Sequence, residues 1–583
     1  MRRFAGAGKH PGSYVPARVS LQSLPDPHFP EWEPELARHM IAARHFRFLN
    51  RDGPGTAEIN WSPPELPLLW RYHLNYFDYL NVKLSDPHDT PLLRSAVDLA
   101  LDWGRQNVTG REMGWEPYPL SLRIVNWLKF LAGNARRLEG VAAGDVGRLL
   151  HSLRVQTLAL ERRLENDILA NHLLKNAKAL MFAGELLGAP ESKRWRAKGA
   201  ALLRRELAEQ VLDDGGHFER SPMYHCAVLE DLLDLARLVR ARAPAGGEGG
   251  AIEACARRMS DFLRRILHPD GDIPLFNDSA FQVARSPREL LAMAGMPAAS
   301  PPWDAGRIDV LPDTGYAVLR EPETESCLVF DCGPLGPDYQ PGHGHCDLLS
   351  YELSLDGQRV VTDTGVSTYE RCAERHYERS TAAHNTVRVD GEEQAEIWAS
   401  FRVGRRPRVV RMESGMEGPL RYVAGRHDGY RHRGVVHSRR IIQAPGGCWV
   451  VIDHVSGSGT HRIESFIHFH PAVRVTQIGG GGQAVDGGGE RLAPCFTVEF
   501  GAHRYALMTL GGGRCELHDG WYAPEFGVRQ SRRVVRWVWE GRLPAGFAYA
   551  LAPEGTAPPV VVMRDSGKVV AINGVALDLG PGT

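Results

Sequence analysis

The sequence has no unbroken apolar run of roughly 18 residues, the length a helix needs to cross a bilayer, so no membrane span and no membrane partner is expected. It has no excess of charge of either sign. Lys and Arg number 69 against 70 Asp and Glu, so there is no global basic field for a nucleic-acid partner, local clusters aside, and none is expected. Its nine cysteines (226, 255, 327, 332, 346, 372, 448, 495, 515) are odd in number and scattered, with no CxxC pair. That excludes a disulfide framework and a thiolate zinc site. The basic start, MRRFAGAGKHPGSYVPARVS, lacks the apolar stretch that follows the charges in a secretory leader. As written the chain reads as cytoplasmic; a trimmed leader would make it periplasmic or secreted. A fixed-period repeat is also missing, which disfavours a repeat solenoid.

What is present is an ordinary globular composition, 43% hydrophobic and 24% charged, in 583 residues. That length is too great for one core. After a Pro- and Gly-rich start with a short helical stretch near Glu33–Phe48, apolar residues recur at helical spacing over 66–80, 91–106, 118–138, 144–164, 168–188, 191–212, 221–243 and 251–267. Gly, Pro or Asp-Gly separates these segments, and the short connections predict antiparallel helical hairpins. Near Ser300-Pro301-Pro302 the texture changes. Strand-like runs follow, such as Tyr316–Arg320, Cys327–Asp331, Arg439–Ala444, Cys448–Asp453 and Val534–Glu540, with Gly-rich turns at Gly479–Gly482, Gly487–Gly489 and Gly511–Gly513. Helices first and strands later predict an α+β multidomain chain: a helical domain with an N-terminal arm over 1–300, and an antiparallel β-sandwich over 301–583.

Four stretches carry chemistry. In 341–394, His345, Asp363 and His384 have the residue types of a Zn²⁺ or Mn²⁺ site. The runs Leu348–Leu355 and Arg359–Thr364, joined by Asp356-Gly357, read as a hairpin that brings His345 and Asp363 together. The same three residues also suit ordinary strand ends. In the helical half, Trp115, Arg123 and Trp127 lie on a segment where Arg123 and Trp127 share a face. They suit a sugar ring and its carboxylate, or an arginine laid over core aromatics. Asn171-His172 is a polar pair inside an apolar helix, so it is either hydrogen-bonded or faces a cavity, with Asn166 and Asp167 as caps. Gly215–His225 is a Gly-rich turn leading into Ser221-Pro222, a good helix start. It places Tyr224 and His225 in the first turn, either packed or presented to a cleft.

These pieces occur in the order found in the heparinase II/III-like polysaccharide lyases, which the chain resembles. They are LWRYHLNYFDYL at 69–80, Trp115…Arg123…Trp127, Asn171-His172, the GxFxExSxxYH run at 216–225, GHGHxD at 342–347, Thr362-Asp363-Thr364-Gly365 and HNTVRVDGxxQ at 384–394. The resemblance implies an incomplete (α/α) toroid followed by an antiparallel β-sandwich, and one divalent metal on His345, Asp363 and His384 that fixes the loop of His343. It implies β-elimination on an anionic uronic-acid polysaccharide, a glycosaminoglycan such as hyaluronan, chondroitin sulfate or heparan sulfate, with alginate or a bacterial exopolysaccharide as the alternative. It implies that Asn171 and His172 hold the uronate carboxylate, that Tyr224 gives the O4 proton, and that Tyr224 or His343 takes the C5 proton. Arg123, Trp127, Trp115, His225, Glu219 and Arg379 are the expected substrate contacts. An (α/α)-toroid glycoside hydrolase using Glu116, Asp167 or Glu219, and a non-catalytic carbohydrate-binding protein, are the other classes.

Overall fold

The computed structural model describes residues 19–24, 29–31, 33–54, 58–84, 86–107, 112–242, 248–297, 308–478, 484–485, 489–490, 492–556, 561–564, 569–572 and 575–578. The expected boundary at Ser300-Pro301-Pro302 and the Gly479–Gly482 turn lie outside these residues.

Ten α-helices come first: α1 (Pro34–Ala43), α2 (Leu68–Tyr76), α3 (Thr90–Gln106), α4 (Pro117–Gly133), α5 (Ala135–Arg162), α6 (Ala170–Leu186), α7 (Ser192–Gln210), α8 (Pro222–Arg242), α9 (Glu248–Ile266) and α10 (Pro287–Met293). The punctuation read in the sequence starts several of them. Pro117 opens α4, and Pro222 opens α8 directly after Ser221, whose Oγ accepts from Tyr224 N at 3.2 Å. That bond caps α8 and fixes Tyr224 in its first turn. Helices α4, α6 and α8 pack as the inner layer, with α5, α7 and α9 as their outer partners. This is the incomplete (α/α) toroid. Its core holds Trp70, Trp103, Trp127 and Trp195, all fully buried.

Strands follow. A five-stranded antiparallel sheet runs through Ile308–Leu311, Tyr316–Glu321, Ser326–Asp331, Tyr351–Leu355 and Gln358–Val361. Its last hairpin turns at Asp356 (φ 48°) and Gly357 (φ 75°), with Leu355 opposite Gln358. Two successive positive φ values make the tight turn expected of Asp-Gly. An eight-stranded antiparallel sheet extends from Val409–Glu417 to Arg474–Gln477. A four-stranded sheet is ordered Arg514–Tyr522, Gln530–Arg542, Thr460–His468, Val387–Val389. The sheets bury a common core that includes Phe330, Leu353, Ile441, Trp449, Ile467 and Val535, which makes the β half a sandwich.

Candidate active site

A cleft of about 1310 Å³ lies between the two halves, walled by α2, α4, α6 and α8 on one side and by the loops at 339–343, 369–371 and 398–402 on the other. It is rich in aromatic side chains, among them Tyr72, Tyr76, Tyr118, Trp398 and Phe401.

From the helical side, Asn171 and His172 reach the cleft at the start of α6. The expected caps Asn166 and Asp167 are not used. Helix α6 begins at Ala170, with Leu169 as an N-cap that makes no side-chain capping bond. Leu169 (φ 64°) and Ala170 (φ 52°) are both left-handed, a strain that persists only where surrounding packing imposes it. Asn171 Nδ2 donates to Glu219 Oε1 at 2.9 Å and its backbone N to the same oxygen at 3.2 Å. Its Oδ1 is buried without a partner. His172 Nδ1 lies 2.9 Å from Glu165 Oε1 and its ring packs 4.3 Å from that of Tyr118, so Nε2 is its unengaged nitrogen.

Tyr224 stands opposite. Its ring centroid lies 4.0 Å from that of His343, and its hydroxyl 3.3 Å from the hydroxyl of Tyr369. Burial, reinforced by Tyr369, pushes the Tyr224 phenol well above its usual range, so it holds its proton at neutral pH. His343 Nδ1 lies 2.8 Å from Asp278 Oδ2, and its Nε2 lies 3.5 Å from Glu219 Oε2.

Asp278 is the residue that sequence reasoning missed. Its carboxylate meets His343 Nδ1, His345 Nε2 at 2.8 Å, and both terminal nitrogens of the Arg375 guanidinium. Burial opposes its ionisation, but Arg375 and the two imidazoles outweigh burial and hold it well below the carboxylate range. Its local signal was slight, a polar Asn277-Asp278-Ser279 run; the structure adds that Asn277 is left-handed at φ 56°.

Beneath this layer, His345 and His384 face each other with ring centroids 5.3 Å apart. His345 Nδ1 and His384 Nε2 are buried with no partner. One ring nitrogen of each histidine and a carboxylate oxygen of Asp347 lie within 4.8 Å of one another. The opposite ring nitrogens rest on carboxylates, His345 Nε2 on Asp278 and His384 Nδ1 on Asp363 Oδ2 at 2.8 Å. Two orphaned imidazole nitrogens beside a carboxylate, each ring oriented by a second carboxylate, fit a divalent cation. Burial pushes Asp347 up to about 6, a deficit of positive charge that such an ion would relieve. Asp363, expected in the ligand set, takes the orienting position in this geometry, and Asp347 stands where it was expected.

The expected substrate contacts are mostly interior. Arg123 is fully buried, its guanidinium 3.6 Å over the Trp103 ring and its Nε donating to Gln156 Oε1 at 2.9 Å. Trp127 packs edge-on to Phe77 and Trp103, and Trp115 Nε1 donates to Asn107 O. His225 Nε2 donates to Met259 O at 3.0 Å. Arg379 donates to Gly344 O at 2.7 Å and Ala399 O at 2.6 Å, which clamps the backbone between His343 and His345. Glu219 is buried behind Asn171. These six support the cleft from behind and do not line it.

The family model described as Heparinase II/III N-terminus matches residues 109–293, and the one described as Heparinase II/III-like, C-terminal, matches residues 305–558. FtsZ-localized protein C of Caulobacter vibrioides is 26% identical over 359 residues, 60% of this chain and 58% of that protein. Heparin-sulfate lyase of Bacteroides stercoris is 25% identical over 326 residues, 49% of this chain and 44% of that protein. That of Pedobacter heparinus is 26% identical over 370 residues, covering 58% and 54%. The chain spans about half the length of the curated relatives it matches. In fold it is similar to a crystal structure of heparinase III, with a TM-score of 0.72, 17% identity and coverage of 94% and 91%. A heparan sulfate lyase mutant from Pedobacter heparinus gives 0.61, 18%, and 95% and 90%.

Proposed function

Because the chain belongs to the heparinase II/III-like family, we propose that it is a polysaccharide lyase that cleaves a uronic-acid polysaccharide by β-elimination. The observation that carries this reading is the convergence of Asn171, His172, Tyr224 and His343 from both halves on one cleft. The C5 proton of a uronate is weakly acidic because the carboxylate beside it resists further charge. That carboxylate is met by His172, which donates from Nε2 when its ring carries both protons with Nδ1–H resting on Glu165, while Asn171, its Nδ2 on Glu219, borders the same pocket; this is a form of oxyanion stabilisation. His343, with Nδ1 held by ionised Asp278, presents Nε2 to accept the C5 proton. The C5–H electrons form the C4–C5 double bond and the C4–O4 bond breaks. Tyr224, kept protonated by burial, gives its proton to departing O4. A Zn²⁺ or Mn²⁺ ion held by His345, His384 and Asp347 would tie the 342–347 loop to the 384 segment and so fix His343. Of the three carboxylates a hydrolase would draw on, Glu219 is engaged by Asn171 and Glu116 by Tyr72, which leaves Asp167 without an opposed partner of that set.

The test is incubation with hyaluronan, chondroitin, heparosan, alginate and their sulfated forms while following the ultraviolet absorbance of a conjugated unsaturated uronate. The expected result is a rise with at least one polymer; no rise with any of them removes the lyase reading.

A further inference from the structure

The wall of the cleft is more acidic than basic. Ten carboxylates line it against six lysines and arginines. Four of those six cations already have carboxylate partners. Lys175 meets Asp231 at 2.7 Å, Lys178 meets Asp231 at 2.8 Å and Asp234 at 2.5 Å, Lys129 meets Asp234, and Arg285 meets Glu230 at 2.9 Å. Arg371 and Arg402 remain without a carboxylate partner among the described residues. In contrast, Glu33, Asp78, Glu116, Asp167, Asp272 and Glu525 have no lysine or arginine at ion-pair distance among the described residues. Several of these acids sense one another. Burial and then Glu289 and Glu525 raise Glu33 above its usual range, and burial and then Glu230 push Asp78 up to about 6.

A polysulfated or all-uronate chain laid in this cleft would set rows of fixed negative charge against unneutralised carboxylates. Like-charge juxtaposition of this kind rejects a partner, the more so where the walls exclude water. The same walls offer Tyr72, Tyr76, Tyr118, Tyr339, Trp398 and Phe401, flat faces for sugars without charge. Resting on the reading of the site as a uronate lyase, we propose that its substrate alternates uronic acid with uncharged sugar and carries no sulfate. The reactive uronate then meets Asn171 and His172, and its neighbours lie on the aromatic walls.

The experiment is calorimetric titration of the full chain, as wild type and as Tyr224→Phe, with size-matched oligosaccharides of one backbone in two forms. One pair is chondroitin and chondroitin sulfate; the other is heparosan and heparan sulfate. In at least one pair, the unsulfated member is expected to bind about tenfold or more tightly at low salt. The gap is expected to narrow as salt rises, because repulsion is screened. A Glu33→Lys/Asp167→Lys variant at two exposed positions is expected to narrow it as well. Sulfated members that bind as tightly as or more tightly than unsulfated ones overturn the proposal. If the unsulfated preference is seen but no polymer gives an unsaturated product, the lyase reading falls and the substrate class stands. If product forms fastest from sulfated polymers, the substrate class falls and the lyase reading stands. If neither pair binds and no polymer gives an unsaturated product, both fall.

Discussion

Single side chains divide into those that would touch substrate and those that hold them. Tyr224→Phe removes the proton donor but keeps the ring against His343, so turnover is expected to fall by about 10²-fold or more with the thermal midpoint essentially unchanged. Full activity in that variant, measured by release of unsaturated product, would remove Tyr224 from its role. Asp278→Ala is different, because it leaves the buried Arg375 guanidinium without its carboxylate. A loss of about 3–5 kcal/mol is expected in urea unfolding, with Asp278→Asn in between. The sequence made the first kind of residue legible and hid the second. Tyr224, Asn171, His172 and His343 sit in motifs of recognisable residue types. Asp278 meets partners 65 to 97 residues further along the chain, and no local pattern announces that. Arg123 misled for a related reason: an arginine and a tryptophan on one helix face look alike whether they face a sugar or Trp103.

Elements were read well where a period defines them. The helices fall on the apolar segments because a 3.6-residue stripe is visible without its partner, and the Asp356-Gly357 hairpin was visible because its turn needs positive φ. Gly357→Val places a branched side chain at φ 75° with Glu325 Oε2 within 3.2 Å of the new Cβ. A loss of about 1–2 kcal/mol is expected, read as a lower urea midpoint. The start of α6 was misplaced, because Leu169 and Ala170 adopt a strained backbone that propensity argues against. Two buried histidines give the helical half a pH dependence. Burial lowers His217 from 6.5 to about 4 and His225 to about 3. Both are neutral when folded and take up protons on unfolding. Their stability contribution is therefore complete above about pH 6.5 and is lost as pH falls from there toward 4. The expected slope is roughly 1.4 kcal/mol per pH unit per histidine. Helical circular dichroism followed on heating at stepped pH would check it, and a flat midpoint across that window would contradict it.

At the scale of the molecule, the α-then-β order was legible from texture alone, whereas the meeting of the halves was not, since burial between distant segments leaves no period. A cation bound to the folded protein alone adds stability by mass action, about 2.7 kcal/mol at a hundredfold excess over its dissociation constant. Chelation is thus expected to lower the thermal midpoint of wild type and leave Asp347→Asn unmoved; equal loss in both would take Asp347 out of the ligand set. The pairing of Val387–Val389 with Thr460–His468, and of that strand with Gln530–Arg542, bears on time as well as on geometry. The helices of 90–266 contact near neighbours in the chain, so they can form while the rest is still being synthesised. The wall that carries His384 must wait for residue 542. Helical signal should return early on refolding and catalysis last, and a chain released at residue 520 should keep its helices around a cleft that never closes.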